Sequence, residues 1–130
     1  MLKYGKETIR EVQLYKSDCM WLDFEKIGNV LVVSLIGELD HHSAEEVRVK
    51  IDDRISRENI RKLVLDFSGV TFMDSSGIGV IIGRYKKISM RSGEVNIISV
   101  SKSIKRVFEL SGIFKIIKYY ENLDEALKVG

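Results

Sequence analysis

Between Phe72 and Gly79 the chain reads Phe-Met-Asp-Ser-Ser-Gly-Ile-Gly, so a carboxylate, two hydroxyls and a pair of glycines fall where an apolar helical pattern begins. Asp74, Ser75 and Ser76 are all residue types that accept backbone N–H bonds at a helix start, each worth about 1 kcal/mol as an N-cap, and glycine lets the chain enter the first turn tightly. One cap needs one side chain, and three candidates in a row leave room for a second role. Acyl transfer by a serine is disfavoured, because the elbow G-x-S-x-G fails: Met73 stands two before Ser75, and Asp74 two before Ser76. His41 and His42 are the only histidines that could act as base, and chain order alone does not exclude them. Gly77, Gly79 and Gly83 imitate a dinucleotide loop, but the connection runs about nine residues instead of a tight turn and the preceding strand is not the first of the sheet. Asp40, His41, His42 and Asp74 make a poor metal set, since adjacent histidines point apart and no thiolate or spaced histidine completes a tetrahedron. No cofactor is implied.

Phosphorylation is the remaining chemistry. A phosphate at a helix N-terminus meets free N–H groups and a favourable dipole, so the fold survives the modification. The surface changes: a dianion beside Asp74, and near Asp40, faces any partner carboxylate. At ~5 Å and an effective dielectric constant of ~20, each such charge pair costs ~3 kcal/mol, roughly a hundredfold in affinity.

The elements that must position these residues follow from pattern. Trp21 to Lys26, the Gly28-Asn29 turn and Val30 to Ile36 read as a β-hairpin whose second strand is apolar on both faces and therefore central. Glu38 to His42 is a loop, and Ser43 with Glu46 reads as a capping box opening a helix with Ala44, Val47, Ile51 and Ile55 on one face. Lys62 to Asp66 is a strand, 67–75 a connection, 77–90 a helix, and 94–100 a strand. Ser101 can cap a helix stopped by Ser111-Gly112, after which 114–120 is a strand and 123–129 a last helix. Strands alternating with helices imply right-handed crossovers: an α/β single domain with a mixed, mostly parallel sheet of about five strands, an antiparallel N-terminal hairpin and about four helices. Ligand loops of such sheets lie at the carboxyl ends of strands, which sets 37–42 and 68–76 side by side. Residues 1–18 form an N-terminal extension in which Ile9, Val12 and Tyr15 permit a packed helical turn, with a mobile tail slightly favoured; 19–130 form the domain.

Length and composition bound the function classes. The 130 residues give one domain with a real core, and 45% hydrophobic with 31% charged residues excludes disorder. Net charge is +2, without the clustered excess of a nucleic-acid binder. The single cysteine, Cys19, builds no disulfide and reads as a small hydrophobe in a reducing compartment. No apolar run approaches the ~20 residues of a membrane span, and no secretory leader opens the chain, so a cytoplasmic location is expected. Arg84, Lys86, Lys87 and Arg91 read as a solvated basic face, and Trp21, Phe108 and Phe114 as packing.

The separated motifs Gly37-Glu-Leu-Asp-His-His42, Phe72-Met-Asp-Ser-Ser-Gly-Ile-Gly-Val80, Gly83-Arg-Tyr-Lys86 and Leu110-Ser-Gly-Ile-Phe-Lys-Ile-Ile117 occur in one order. From about Leu22 to Gly130 the chain resembles the anti-sigma factor antagonists of the STAS domain family, most closely those of sporulation that control the forespore sigma factor. The resemblance implies a cytoplasmic phosphoprotein, not an enzyme, that works by partner switching in transcription regulation. Unphosphorylated, such a protein binds an anti-sigma factor and frees the sigma factor; the anti-sigma factor is also a serine kinase acting on the first serine of D-S-S-G, here Ser75, and a serine phosphatase reverses it. Ser76 then becomes the expected cap. Asp40, His41, His42, Asp74, Ser76, Gly77 and Ile78 are the expected partner surface, with no direct nucleic acid and no membrane span. A STAS sensor domain binding a small molecule or nucleotide is the alternative.

Overall fold

The computed structural model describes residues 10–16 and 20–128. Its elements in chain order are β1 (Arg10–Lys16), β2 (Met20–Ile27), β3 (Val30–Leu39), α1 (Ala44–Arg57), β4 (Lys62–Met73), α2 (Ser75–Met90), β5 (Glu94–Ile98), α3 (Lys102–Ser111), a single 3-10 turn at Ile113–Lys115, β6 (Lys118–Tyr120) and α4 (Leu123–Lys128). The strands lie in sequence order in one sheet; β1, β2 and β3 are antiparallel, and β3 to β6 are parallel.

Right-handed crossovers between strands in sequential order deliver their helices to one face. The main core accordingly joins Leu31, Val33 and Leu35 of β3, Leu63, Leu65 and Phe67 of β4, and Val95 and Ile97 of β5 to Val47, Ile51 and Ile55 of α1, Val80, Ile81 and Ile88 of α2, and Ile104 and Phe108 of α3. Phe67 and Phe108 meet edge to face with centroids 5.1 Å apart, and Phe114 packs 5.6 Å from Phe108. The opposite face carries a smaller cluster, Ile27, Val32, Val64 and Ile98, under Ala126 of α4. The expected α/β architecture and its four helices are present.

Four local readings change. Residues 10–16, read as a helical turn or a tail, are a strand aligned on β2 with Gln13 opposite Phe24; the hairpin leaves β2 with unpaired backbone groups that an extended neighbour satisfies. This makes the sheet six-stranded. Cys19 and Ile9 lie outside the described residues. The connection expected from residue 67 is instead strand: β4 continues to Met73 beside β3, through register shifts between Ser34 and Ile36 and between Gly37 and Glu38, because Phe67, Val70 and Met73 keep turning into the core. The strand expected over 114–120 shrinks to Lys118–Tyr120, since Gly112 adopts a left-handed φ of 78° and the Ile113 carbonyl accepts from the amides of Ile116 and Ile117. The helix starts differ too. Ser43 makes no side-chain cap bond; its Oγ donates to the Glu38 carbonyl at 2.7 Å, and Ser101 makes no cap bond either. Ser43 is buried under the turn, where its hydroxyl satisfies a strand-end carbonyl instead of a helix amide.

Gly83, inside α2, has open space where a Cβ would stand. Replacing glycine by alanine in a helix interior removes an entropic cost, so Gly83→Ala is expected to stabilise the fold by about 0.5–1 kcal/mol, read from chemical denaturation at constant m-value.

Candidate phosphoacceptor site

Parallel pairing carries the ends of β3 and β4 to the same edge, with Leu39 opposite Met73, and the two chains leave the sheet together. The Asp74 amide donates to the Leu39 carbonyl at 3.3 Å, which fixes the start of α2 against the end of β3. Asp74 then does two jobs with one carboxylate. Its Oδ1 accepts from the Ser76 amide at 2.8 Å, making Asp74 the N-cap of α2, and its Oδ2 accepts from the His41 amide at 3.3 Å. The cap expected of Ser76 therefore belongs to Asp74: extended backbone at residue 74 aims the carboxylate down the helix, while Ser76 is already in the first turn. Loss of this cap in Asp74→Ala is expected to cost about 1 kcal/mol and to speed hydrogen exchange at both the Ser76 and His41 amides.

Across the gap, the β3–α1 loop is held by Asp40. Its Oδ1 accepts from the amides of His42 and Ser43 at 2.9 and 3.2 Å. Partial desolvation opposes charge on this carboxyl. The amides of Ser43 and His42 and the fields of both imidazoles outweigh it and hold Asp40 below its ordinary value; Glu45 is lowered as well, first by its hydrogen bond from Arg48. A carboxyl depressed in the folded state contributes stability that is complete above its unfolded pKa and is lost as pH falls through the folded value. Stability is thus expected to decline on the acid side of about pH 4, and Asp40→Asn to flatten that decline in urea midpoints measured from pH 6 to pH 3.

The residues expected at the site are brought together: Asp40, His41 and His42 on one loop face Asp74, Ser75 and Ser76 on the other. His41 and His42 are exposed, their ring centroids lie 3.9 Å apart, and His41 Nδ1 is 3.8 Å from Asp74 Oδ2. Among the described residues, no three side chains of metal-binding type converge. Ser75, the first residue of α2, is exposed and its hydroxyl bonds to no described residue, whereas Ser76 is half-buried. Gly77 is buried, and an added Cβ would stand 2.8 Å from Met73 Sδ and 3.1 Å from a Leu39 methyl, so a larger residue here would have to displace the Met73 side chain. Ile78 is half-buried against the core.

Two packing expectations are corrected beside the site. Arg84 does not belong to a solvated face: it is 4% exposed, with Nε 2.8 Å from Asp52 Oδ1 of α1. It stands between Val80, Ile81 and Ile88 on the apolar stripe of α2, a spacing that marks it as inward-facing. Burial holds its guanidinium below the ordinary arginine value, and Asp52 offsets only part of that. Lys86, Lys87 and Arg91 are exposed as expected, with Arg91 Nη1 also donating to the Ile55 carbonyl at 2.9 Å. Trp21, expected in the core, is 39% exposed and sits opposite Ile36 on β3; with Phe72 these side chains form exposed apolar surface that the sequence did not announce. Strand alternation puts Trp21 on the opposite face from Met20 and Leu22.

Among the described residues, shallow clefts of about 360, 280 and 370 Å³ are lined by other parts of the molecule, including Asn29 and Lys62, Asp52 and Met90, and Tyr85 and Ile116. None of them includes a residue of the two loops. No described helix is long and apolar enough to cross a membrane.

Comparison with known proteins bears on both fold and site. Residues 22–126 match the model of the STAS domain. An anti-sigma F factor antagonist of Paenibacillus polymyxa is 42% identical over 106 residues, covering 82% of this chain and 91% of that protein. An anti-sigma-B factor antagonist of Bacillus subtilis is 28% identical over 74% of this chain and 86% of its own. Among solved structures, the anti-sigma factor antagonist SpoIIAA in its unphosphorylated form superposes with a TM-score of 0.69 at 28% identity, over 91% of this chain and 94% of that one. The Bacillus SpoIIAA in its phosphorylated form gives 0.62 at 28% identity, over 91% and 97%. With this match over most of its length, on a sheet and helix order of the same design, the chain belongs to the STAS domain family.

Proposed function

We propose that this chain is an anti-sigma factor antagonist switched by phosphorylation of Ser75. Its relatives are named as antagonists of anti-sigma factors, and one of them has been solved with and without phosphate. The observation that carries the site assignment is the contrast at the start of α2: the Ser75 hydroxyl is exposed and unengaged, while Asp74 takes the cap and ties both loops. Unphosphorylated, the surface made by Asp40, His41, His42, Asp74, Ser76 and Ile78 docks an anti-sigma factor and releases the sigma factor; Gly77, expected on that surface, is buried beneath it against Met73 and Leu39. That anti-sigma factor, a serine kinase, transfers the γ-phosphoryl group of ATP to Ser75 Oγ, whose hydroxyl proton is released as ADP leaves, and the added dianion expels the kinase; a serine phosphatase resets the cycle by hydrolysing the phosphoester to serine and inorganic phosphate. The protein itself works in the cytoplasm by binding and catalyses nothing. The docking unit, expected to begin at residue 19, takes in residues 10–16 as well, since β1 pairs with β2 in the same sheet.

Incubation with an anti-sigma serine kinase and ATP, followed by peptide mass spectrometry, is expected to place a single phosphate on Ser75. Phosphate on Ser76 or elsewhere overturns the site. A rise in Tm with nucleotide, together with no complex with any anti-sigma factor, overturns the antagonist reading in favour of a ligand sensor.

A further inference from the structure

A phosphate on Ser75 would need a local counter-charge, and the composition around it supplies one source. Residues 37–47 and 68–83, which include both loops and the helix starts, contain no lysine or arginine; His41 and His42 are the only side chains there able to carry positive charge. The nearby arginines are engaged elsewhere, Arg48 with Glu45 and Asp52, and Arg84 with Asp52. The His41 ring already approaches the α2 cap, 3.8 Å from Asp74 Oδ2, and the His42 ring lies against it. Ser75 follows Asp74 directly, about 3.8 Å on in Cα position, and is exposed like both imidazoles.

We propose that His41 and His42 are the receiving site for the phosphoryl group on Ser75: their imidazolium edges pair with the phosphate and hold it over the β3–α1 loop. This deepens the proposed function and rests on Ser75 as the acceptor. The dianion would otherwise stand against the Asp74 carboxylate with only the helix dipole to offset it. The carboxylates beside the histidines are Asp40 on their own loop, whose Oδ1 accepts from the His42 amide, and Asp74 at the α2 cap; Glu45 and Glu46 stand in the first turn of α1. The second ionisation of a phosphoserine falls near pH ~6, so its position reads any positive charge held beside Ser75.

Phosphoserine incorporated at position 75 during translation tests this without a kinase. In a ³¹P NMR titration of the full chain, the second phosphate ionisation is expected about 0.5 unit lower in the wild type than in His41→Gln/His42→Gln, a modest shift for an exposed pair. The difference should shrink in high salt. Equal titration curves in a double variant that melts like the wild type overturn the proposal; if that variant is unfolded, the single variants His41→Gln and His42→Gln carry the test, and no shift in either overturns it. Failure of the underlying function reads out separately: a phosphoserine-75 protein that grips the anti-sigma factor as tightly as the unmodified one defeats the switch, whatever the ³¹P curve shows.

Discussion

Ser75→Asp is expected to bind the anti-sigma factor roughly a hundredfold more weakly than the wild type, while Ser75→Ala binds within about threefold of it. The magnitude comes from one charge meeting a carboxylate of the partner at ~5 Å with an effective dielectric constant of ~20, which costs ~3 kcal/mol. The scaffold should not register the change. Ser75 is exposed and its hydroxyl engages no described residue, so nothing is broken by replacing it, and a negative charge at the first residue of α2 gains up to about 1 kcal/mol from the helix dipole against repulsion from Asp74. Isothermal titration with the purified partner, alongside thermal melts, checks both halves. Undiminished binding by Ser75→Asp, with the fold intact, removes electrostatic exclusion as the switch.

Asp52→Ala is expected to lower stability by about 3 kcal/mol, near the lower bound for breaking a buried ion pair because Asp52 keeps some contact with solvent. Arg84 is almost fully enclosed between α1 and α2, and removing its partner leaves an uncompensated cation beside Arg48, which Asp52 also engages. For a domain of this size that corresponds to roughly 10 °C in Tm. Adding Arg84→Met to Asp52→Ala should recover most of the loss, since an apolar side chain of similar length suits the stripe between Val80, Ile81 and Ile88. A melt of Asp52→Ala within about 2 °C of the wild type would show that the pair is not desolvated. The pair also ties α2 to α1 midway along, while the Asp74 carboxylate ties the start of α2 to the β3–α1 loop and Arg91 ties its end to the Ile55 carbonyl of α1.

The α/β alternation, the hairpin at Gly28-Asn29 and the core stripe of α1 were legible because each is a local period, and the period alone decides which residues can share a face. The loops 37–42 and 68–76 were placed side by side by the same logic, and the hydrogen bond from the His41 amide to Asp74 Oδ2 joins them. Where several side chains were chemically equivalent, local pattern gave no ranking. Asp74, Ser75 and Ser76 are all competent caps; only the contact of the Asp74 amide with the Leu39 carbonyl fixes residue 74 outside the helix and so frees Ser75. Ser43 and Glu46 have the spacing of a capping box, yet the Glu38 carbonyl takes the hydroxyl first.

Residue order by itself determined the fold class, the adjacency of the two loops and the short set of groups able to accept a phosphate, because these depend on spacing along the chain and on which termini parallel strands must share. Tertiary structure alone decided that Arg84 is an inward partner of Asp52, that Trp21 faces out, that residues 10–16 extend the sheet, and that Asp74 bridges both loops. Each of those outcomes turns on an atom supplied by a segment distant in sequence, and a polar or aromatic side chain takes its role from whichever such neighbour satisfies or uncovers it.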